Sequence, residues 1–375
     1  MHDTLLLSLV VATALAFDFT NGFHDTANAM ATTVATKALK PRVAVGLAAV
    51  MNLLGAFLSL KVAAVVASGI VDQAHVTLSI VLAGLTGAIL WNVVTWFFGM
   101  PSSSSHALIG GILGATIAGA GTVLWSGVAA KVLFPALFAP VVAGGVAALG
   151  VWLARRAARA TAEGIQRNGG RAGQVVSASL ISLAHGTNDA QKTMGVITLA
   201  LVANGTIAAE ASTPTWVIVA CALAIAIGTF SGGWRVIHTM GTKLFPIENT
   251  HGIAAQSASA ATILASSHFG YPLSTTQVAS GAVVGTGMAT GARRVSWPVV
   301  SRMVLTWVIT LPGAGLVAAA AMGLERGLGT RWGSAVNLTL LAAGCAAIWI
   351  KSQADKISHH NVTDPSGDLA TKEAI

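Results

Sequence analysis

Long apolar runs broken by short polar interruptions dominate the chain. Predominantly apolar runs cover residues 43–60, 76–98, 134–152, 216–230, 299–322 and 335–350. Shorter or interrupted ones lie at 5–17, 27–34, 107–120, 175–184, 194–202, 253–267 and 278–289. Crossing the hydrocarbon core takes about 20 apolar residues of helix. The first set therefore predicts spanning helices, and the second predicts helices broken inside the bilayer or re-entering it. The apolar positions are continuous rather than alternating, which argues against a transmembrane β-barrel. The expected fold is all-α and polytopic, with about 10–12 helical segments at the length a bilayer requires.

Composition narrows the class. Of 375 residues, 54% are hydrophobic and 9% charged, and the mean hydropathy is +0.74. A soluble domain carries about 25% charged residues, so a soluble enzyme, a disordered chain and a nucleic-acid-binding domain are all excluded. The net charge of +8 is concentrated: Arg155, Arg156, Arg159, Arg167 and Arg171 stand against Glu163 alone. By the positive-inside rule this stretch is a cytoplasmic loop, and Lys37, Lys40, Arg42 and Arg293, Arg294, Arg302 mark two further short basic turns. Cys221 and Cys345 sit in apolar runs and read as small core residues. The N-terminus lacks a cationic leader segment, so the first apolar run is expected to insert rather than be cleaved.

The polar interruptions repeat. Gly22-Phe23-His24-Asp25-Thr26-Ala27-Asn28-Ala29-Met30 aligns with Gly186-Thr187-Asn188-Asp189-Ala190-Gln191-Lys192-Thr193-Met194, 164 residues later. Pro101-Ser102-Ser103-Ser104-Ser105-His106 aligns with Pro272-Leu273-Ser274-Thr275-Thr276-Gln277, 171 residues later, with Gly110 and Gly114 falling on Gly281 and Gly285. Two motifs in the same order at nearly the same spacing indicate an internal duplication. The expected organisation is a first transmembrane repeat over 1–152, a basic loop over 153–174, a second repeat over 175–322, a final span over 323–350 and a polar, disordered tail over 351–375. Duplicated halves with matched interruptions are a transporter signature and place the site at the interruptions. The duplication by itself leaves inverted and parallel halves both open.

Asp25 and Asp189 are carboxylates among apolar helices, each costing about 2.5–3.5 kcal/mol to insert. Their equivalence in the two repeats marks them as a cation or proton site. The Pro-Ser runs read as helix N-termini, where hydroxyl caps, free N–H groups and the helix dipole favour an anion. The glycine spacing that follows reads as close helix packing. An anion beside two carboxylates needs a cation between them or a proton on one, so the pattern implies cotransport. His24, His106 and His185 are candidates for proton coupling. No spaced metal-ligand set and no cofactor motif appears.

At these residues the chain resembles the Pit-type inorganic phosphate transporters, in their bacterial low-affinity branch. The likeness rests on 22–28, on 185–192 and on both Pro-x-Ser runs, and it extends over nearly all the chain outside the central loop and tail. The resemblance implies inverted repeats, broken helices, two re-entrant hairpin tips holding phosphate, and a homodimer in the cell membrane. It implies substrate binding by Asp25, Asn28, Ser103, Ser104, Ser105, Asn188, Asp189, Ser274, Thr275 and Thr276, and Gln191 and Lys192 beside the second motif join them as candidates. Cation or proton coupling falls to His24, Asp25, Asn188, Asp189 and Gln256. Two departures bear on coupling: His24 and Lys192 replace motif asparagines, and Asn52 and Gln256 fall where sodium-coupled animal members carry glutamate. Losing anionic oxygens and gaining His and Lys weakens a sodium site. The expectation is a secondary transporter that imports inorganic phosphate with protons, with sodium coupling and carriage of a divalent metal–phosphate complex left as alternatives. A sulfate permease on the same fold is the nearest rival. A channel or an intramembrane hydrolase is a more distant one, and no Gly-x-Ser-x-Gly motif supports the hydrolase.

Overall fold

The structure is a computed structural model that describes residues 2–158 and 163–364. It is built from helices. Helix α1 (His2–Ala35) leads to α2 (Pro41–Gly55) and α3 (Lys61–Ser68), then to the pair α4 (Leu78–Phe97) and α5 (Ser104–Ala118). A short α6 (Trp125–Val128) passes through a π-helical turn into α7 (Phe134–Ala158). The second half runs α8 (Glu163–Ala203), α9 (Thr215–Ser231), α10 (Trp234–Thr242), the pair α11 (Asn249–His268) and α12 (Thr275–Thr290), and α13 (Trp297–Ser352). Gly329, at φ 78°, divides α13 into two helices.

The two halves are inverted. Near the end of α1, Thr36 Oγ1 donates to Gln174 Oε1 near the start of α8 at 2.8 Å, and Arg171 Nε donates to Ala38 O at 3.0 Å. About three turns back along α1, Asp25 lies beside His185 and Asp189, about three to four turns forward along α8. Contacts that move backward on one helix as they move forward on the other mean that the two run antiparallel, and they are the equivalent helices of the two repeats. The halves also exchange partners: α5 packs on α13, and α12 packs on α7.

The acidic motifs do not break their helices, contrary to the expectation from the sequence. Both acidic motifs lie inside unbroken helices, α1 and α8. Their glycines serve close approach instead. A Cβ on Gly22 would lie 2.3 Å from Ile225 O, and one on Gly186 would lie 2.2 Å from Asn52 O. The helix breaks fall in the neighbouring spans, between α2 and α3 and at Gly232-Gly233 between α9 and α10, where the chain bends by 63°. The re-entrant pairs α4/α5 and α11/α12 and their Pro-Ser tips appear as expected. The glycines after each tip pack helices: a Cβ on Gly110 would meet Leu311 O at 2.2 Å, and one on Gly281 would meet Pro140 O at 2.4 Å.

The basic stretch is more helical than expected, since α7 continues through Ala158 and α8 begins at Glu163. The expected disordered tail is corrected as well. Residues 353–364 fold back on the bundle: Arg235 donates to Ser352 O at 2.9 Å and Asp355 O at 2.8 Å, and Val362 is buried against α10, its carbonyl 2.9 Å from His238 Nδ1. Residues 365–375 lie outside the described residues.

Among the described residues, four helices are long and apolar enough to span a bilayer, or five if α9 and α10 form one bent span. Their outward faces carry large exposed apolar side chains, such as Leu137 and Val141 on α7 and Val308 and Leu316 on α13. A soluble protein does not expose such a continuous surface; here it faces lipid. The polar residues collect instead along the α1–α8 contact and the two tips.

Candidate functional site

Each tip is a helix N-terminus capped by its own serine. Ser103 Oγ accepts from His106 N at 3.0 Å, and Ser274 Oγ accepts from Gln277 N at 3.2 Å. The proline that opens each motif cannot donate a backbone hydrogen bond and ends the preceding chain. The next hydroxyls then point at the acidic helices. Ser104 Oγ donates to Asp25 Oδ2 at 2.6 Å, Thr276 Oγ1 donates to Asp25 Oδ1 at 3.2 Å, and Thr275 Oγ1 donates to Asp189 Oδ2 at 2.9 Å. The tips touch each other, with Ser105 Oγ donating to Leu273 O at 3.0 Å. Two tips from opposite repeats thus converge on two carboxylates from opposite repeats.

Two basic side chains, Lys192 and His185, stand in this cluster. Lys192, one turn after Asp189 on α8, is paired with Asp189 Oδ1; its ammonium also donates to Ser105 Oγ at 2.5 Å and Leu273 O at 2.6 Å. All three lysine protons therefore have acceptors, and the side chain is 1% exposed. His185 lies between the carboxylates, its Nε2 3.1 Å from Asp189 Oδ2 and 4.0 Å from Asp25 Oδ2. Its Nδ1 is 3.1 Å from Asn52 Oδ1, and the Asn52 amide nitrogen is turned to Thr229 Oγ1. Nδ1 thus faces an acceptor, while Nε2 stands between the two carboxylates without a hydrogen bond of its own. His24 adds a contact of 2.6 Å from Nδ1 to Asp25 Oδ1, and its Nε2 is 3.4 Å from both Thr95 Oγ1 and Ser102 Oγ.

The sequence reading is sorted by this geometry. Asp25, Ser104, Ser105, Asp189, Lys192, Thr275, Thr276 and His24 come together. Asn28 joins them, its amide nitrogen 3.0 Å from Thr276 Oγ1. Ser103 and Ser274 are spent as caps. Asn188 braces the second tip, its amide donating to Ser267 Oγ at 2.8 Å and Tyr271 O at 3.2 Å. Gln191 is turned away: its oxygen accepts from Val62 N at 2.9 Å and caps α3, while its nitrogen donates to Thr187 O. Gln256 is also apart, tying α11 to α1 through Ala29 O at 2.8 Å and Thr33 Oγ1 at 2.7 Å. Of the three histidines that the sequence offers as proton-coupling candidates, His185 is the one that lies between the two carboxylates. Its position in the repeat held the signal, because 164 residues earlier stands Asn21, another polar residue just before a motif glycine.

The profile of the phosphate transporter family matches residues 21–318. The chain belongs to that family. It is accordingly a multi-pass membrane transporter and not an enzyme. It is 56% identical over 97% of its length, and 88% of the relative's, to a probable low-affinity inorganic phosphate transporter of Mycobacterium tuberculosis. It is 42% identical, over 84% of its length and 96% of the relative's, to the protein of the same description in Bacillus subtilis. A solved structure described as the sodium-dependent phosphate transporter matches with a TM-score of 0.72 over 86% of this chain and 99% of that one, at 22% identity. That likeness establishes a shared fold.

Proposed function

We propose that this transporter imports inorganic phosphate across the cell membrane by proton symport. In this reading phosphate is received by the hydroxyls of Ser104, Ser105, Thr275 and Thr276 and by the free N–H groups opening α5 and α12. In the closed arrangement those hydroxyls are satisfied by Asp25, Asp189 and Leu273 O. Phosphate takes them over as the tips part, with Lys192 and His185 offsetting its charge. Rocking of the inverted halves around this fixed site gives alternating access.

One observation carries the choice of coupling ion: Lys192 and His185 already stand on the cation side of both carboxylates. A sodium ion would have to compete with charges tethered in place, and so would the metal of a metal–phosphate complex. Free phosphate with protons is therefore the proposed cargo. Uptake into proteoliposomes, with proton, sodium and magnesium gradients imposed separately, tests this. Accumulation is expected with the proton gradient alone, and accumulation that follows only sodium or needs magnesium would refute it. Excess sulfate is expected to leave uptake intact; competition would favour a sulfate carrier. Assembly as a homodimer belongs to the same reading through the family resemblance, and the mass of the solubilised particle checks it.

A further inference from the structure

Resting on the proton-symport reading, we propose that the transported proton is taken up by Asp18, a site separate from the Asp25–Asp189 pair that faces phosphate. A proton carrier needs a carboxylate that is free to accept a proton. Asp25 has His24, Ser104 and Thr276 on its two oxygens, and Asp189 has Lys192, Thr275 and His185. Each is held as an anion by partners built into the chain. Asp18 differs on every count. It is fully buried, and neither Oδ1 nor Oδ2 has a hydrogen-bond partner.

Asp18 lies seven residues before Asp25 on α1, which places it about 10 Å further along the helix axis and on nearly the same face. With Lys37, Lys40 and Arg42 at the cytoplasmic end of α1, the positive-inside rule puts that displacement toward the outside. The carboxyl group is flanked by Asn21 and Thr193. Asn21 Oδ1 and Thr193 Oγ1 are themselves buried without partners. The titratable groups facing it are Asp189 and His185 on α8 and Cys221 on α9; none is within ion-pairing distance.

An unpaired carboxylate removed from water is costly, and a proton removes that cost by neutralising it. The proton does more here, because the resulting O–H group is a donor beside Asn21 Oδ1, an acceptor without a partner that an ionised carboxylate cannot satisfy. The site also lies beside the phosphate cluster without belonging to it: His185 faces both Asp18 and the two binding carboxylates. A monovalent phosphate entering the cluster adds one negative charge, and one proton on Asp18 offsets it. In the cycle, Asp18 accepts a proton from the outer solution as phosphate binds. It gives the proton up when the cavity opens to the cytoplasm and water again stabilises the ionised form.

The test uses the full chain in proteoliposomes and compares wild type, Asp18→Asn and Asp18→Glu. Coupling one proton to one phosphate lets a pH step of about one unit sustain about tenfold accumulation. Asp18→Asn is expected to lose that accumulation while still exchanging labelled for unlabelled phosphate at equal pH on both sides. Asp18→Glu is expected to regain it. Accumulation by Asp18→Asn at the wild-type level overturns the proposal and leaves proton symport standing. A wild-type protein that ignores the pH gradient overturns the symport reading, and this proposal falls with it. Loss of exchange together with accumulation in Asp18→Asn would mean a role in the phosphate site itself, and would also overturn the proposal. Should Asp18→Asn fail to fold, infrared difference spectra on a pH jump decide between the other two. A protonated-carboxyl band is expected in wild type and shifted in Asp18→Glu; an identical band in both overturns the assignment.

Discussion

Lys192→Asn isolates the tethered charge. The substitution places in the second repeat the residue that Asn28 holds in the first, so it respects the shape of the site while deleting the ammonium. Three contacts go with it: Asp189, Ser105 Oγ and Leu273 O. Breaking a buried pair by removing one member costs about 3–5 kcal/mol, because the other charge is left uncompensated. That is two to three and a half powers of ten in an equilibrium constant, at about 1.4 kcal/mol for each. A cation from solution can restore part of it, since a ligand at about 100 times its Kd contributes about 2.7 kcal/mol. The expected result is a variant markedly less heat-stable than wild type in choline chloride and restored saturably by sodium chloride, with phosphate uptake that sodium now stimulates. Choline and sodium buffers of equal ionic strength separate binding from screening. A variant as stable as wild type in choline, with uptake indifferent to sodium, would refute the assignment of Lys192 as the fixed counter-charge of Asp189.

Further expectations concern other parts of the molecule. Asp25→Asn removes the anion that Ser104, Thr276 and His24 share; uptake and phosphate exchange are both expected to vanish while the folded, membrane-inserted protein persists, as size-exclusion profiles would show. Gly22→Ala and Gly186→Ala force a Cβ to within 2.3 and 2.2 Å of a neighbouring helix's carbonyl oxygen. Each is expected to cost about 1–3 kcal/mol by overpacking, read as lost thermal stability. Gly145→Ala, with nothing within 4 Å, is the neutral control. Arg235→Lys loses the planar fork that donates to Phe97 O, Ser352 O and Asp355 O. It should loosen residues 353–364, seen as faster amide exchange there and earlier proteolytic cleavage of the tail.

Much of the site could be read without coordinates because inserting a carboxylate into a bilayer is expensive. Two of them at repeat-equivalent positions, beside two proline-led hydroxyl runs, leave few explanations, and the family resemblance followed from the same residues. What the motifs did not show was which atoms are already occupied. Gln191 and Gln256 belong to polar stretches of the repeats yet point to α3 and to the α1 backbone. Ser103 and Ser274 sit in the hydroxyl runs yet spend their oxygens on capping. Helix phase and local capping decide such matters, and a motif string records neither. The misplaced breaks have a similar cause. A glycine in a membrane helix can interrupt it or let another helix approach, and only the neighbouring backbone at Gly22 and Gly186 tells the two apart.

The sequence by itself determined that this is a duplicated, helical, membrane-embedded carrier with acidic and hydroxyl-rich motifs, because hydrophobic length, charge placement and repetition are properties of the chain alone. The tertiary structure decided the rest. It showed that the repeats are inverted, since direction is visible only where Thr36 meets Gln174. It brought His185 and Lys192 against the carboxylates and left Asp18 without a partner. Charge balance in a low-dielectric interior depends on distances between helices far apart in sequence, and only the folded bundle sets those distances.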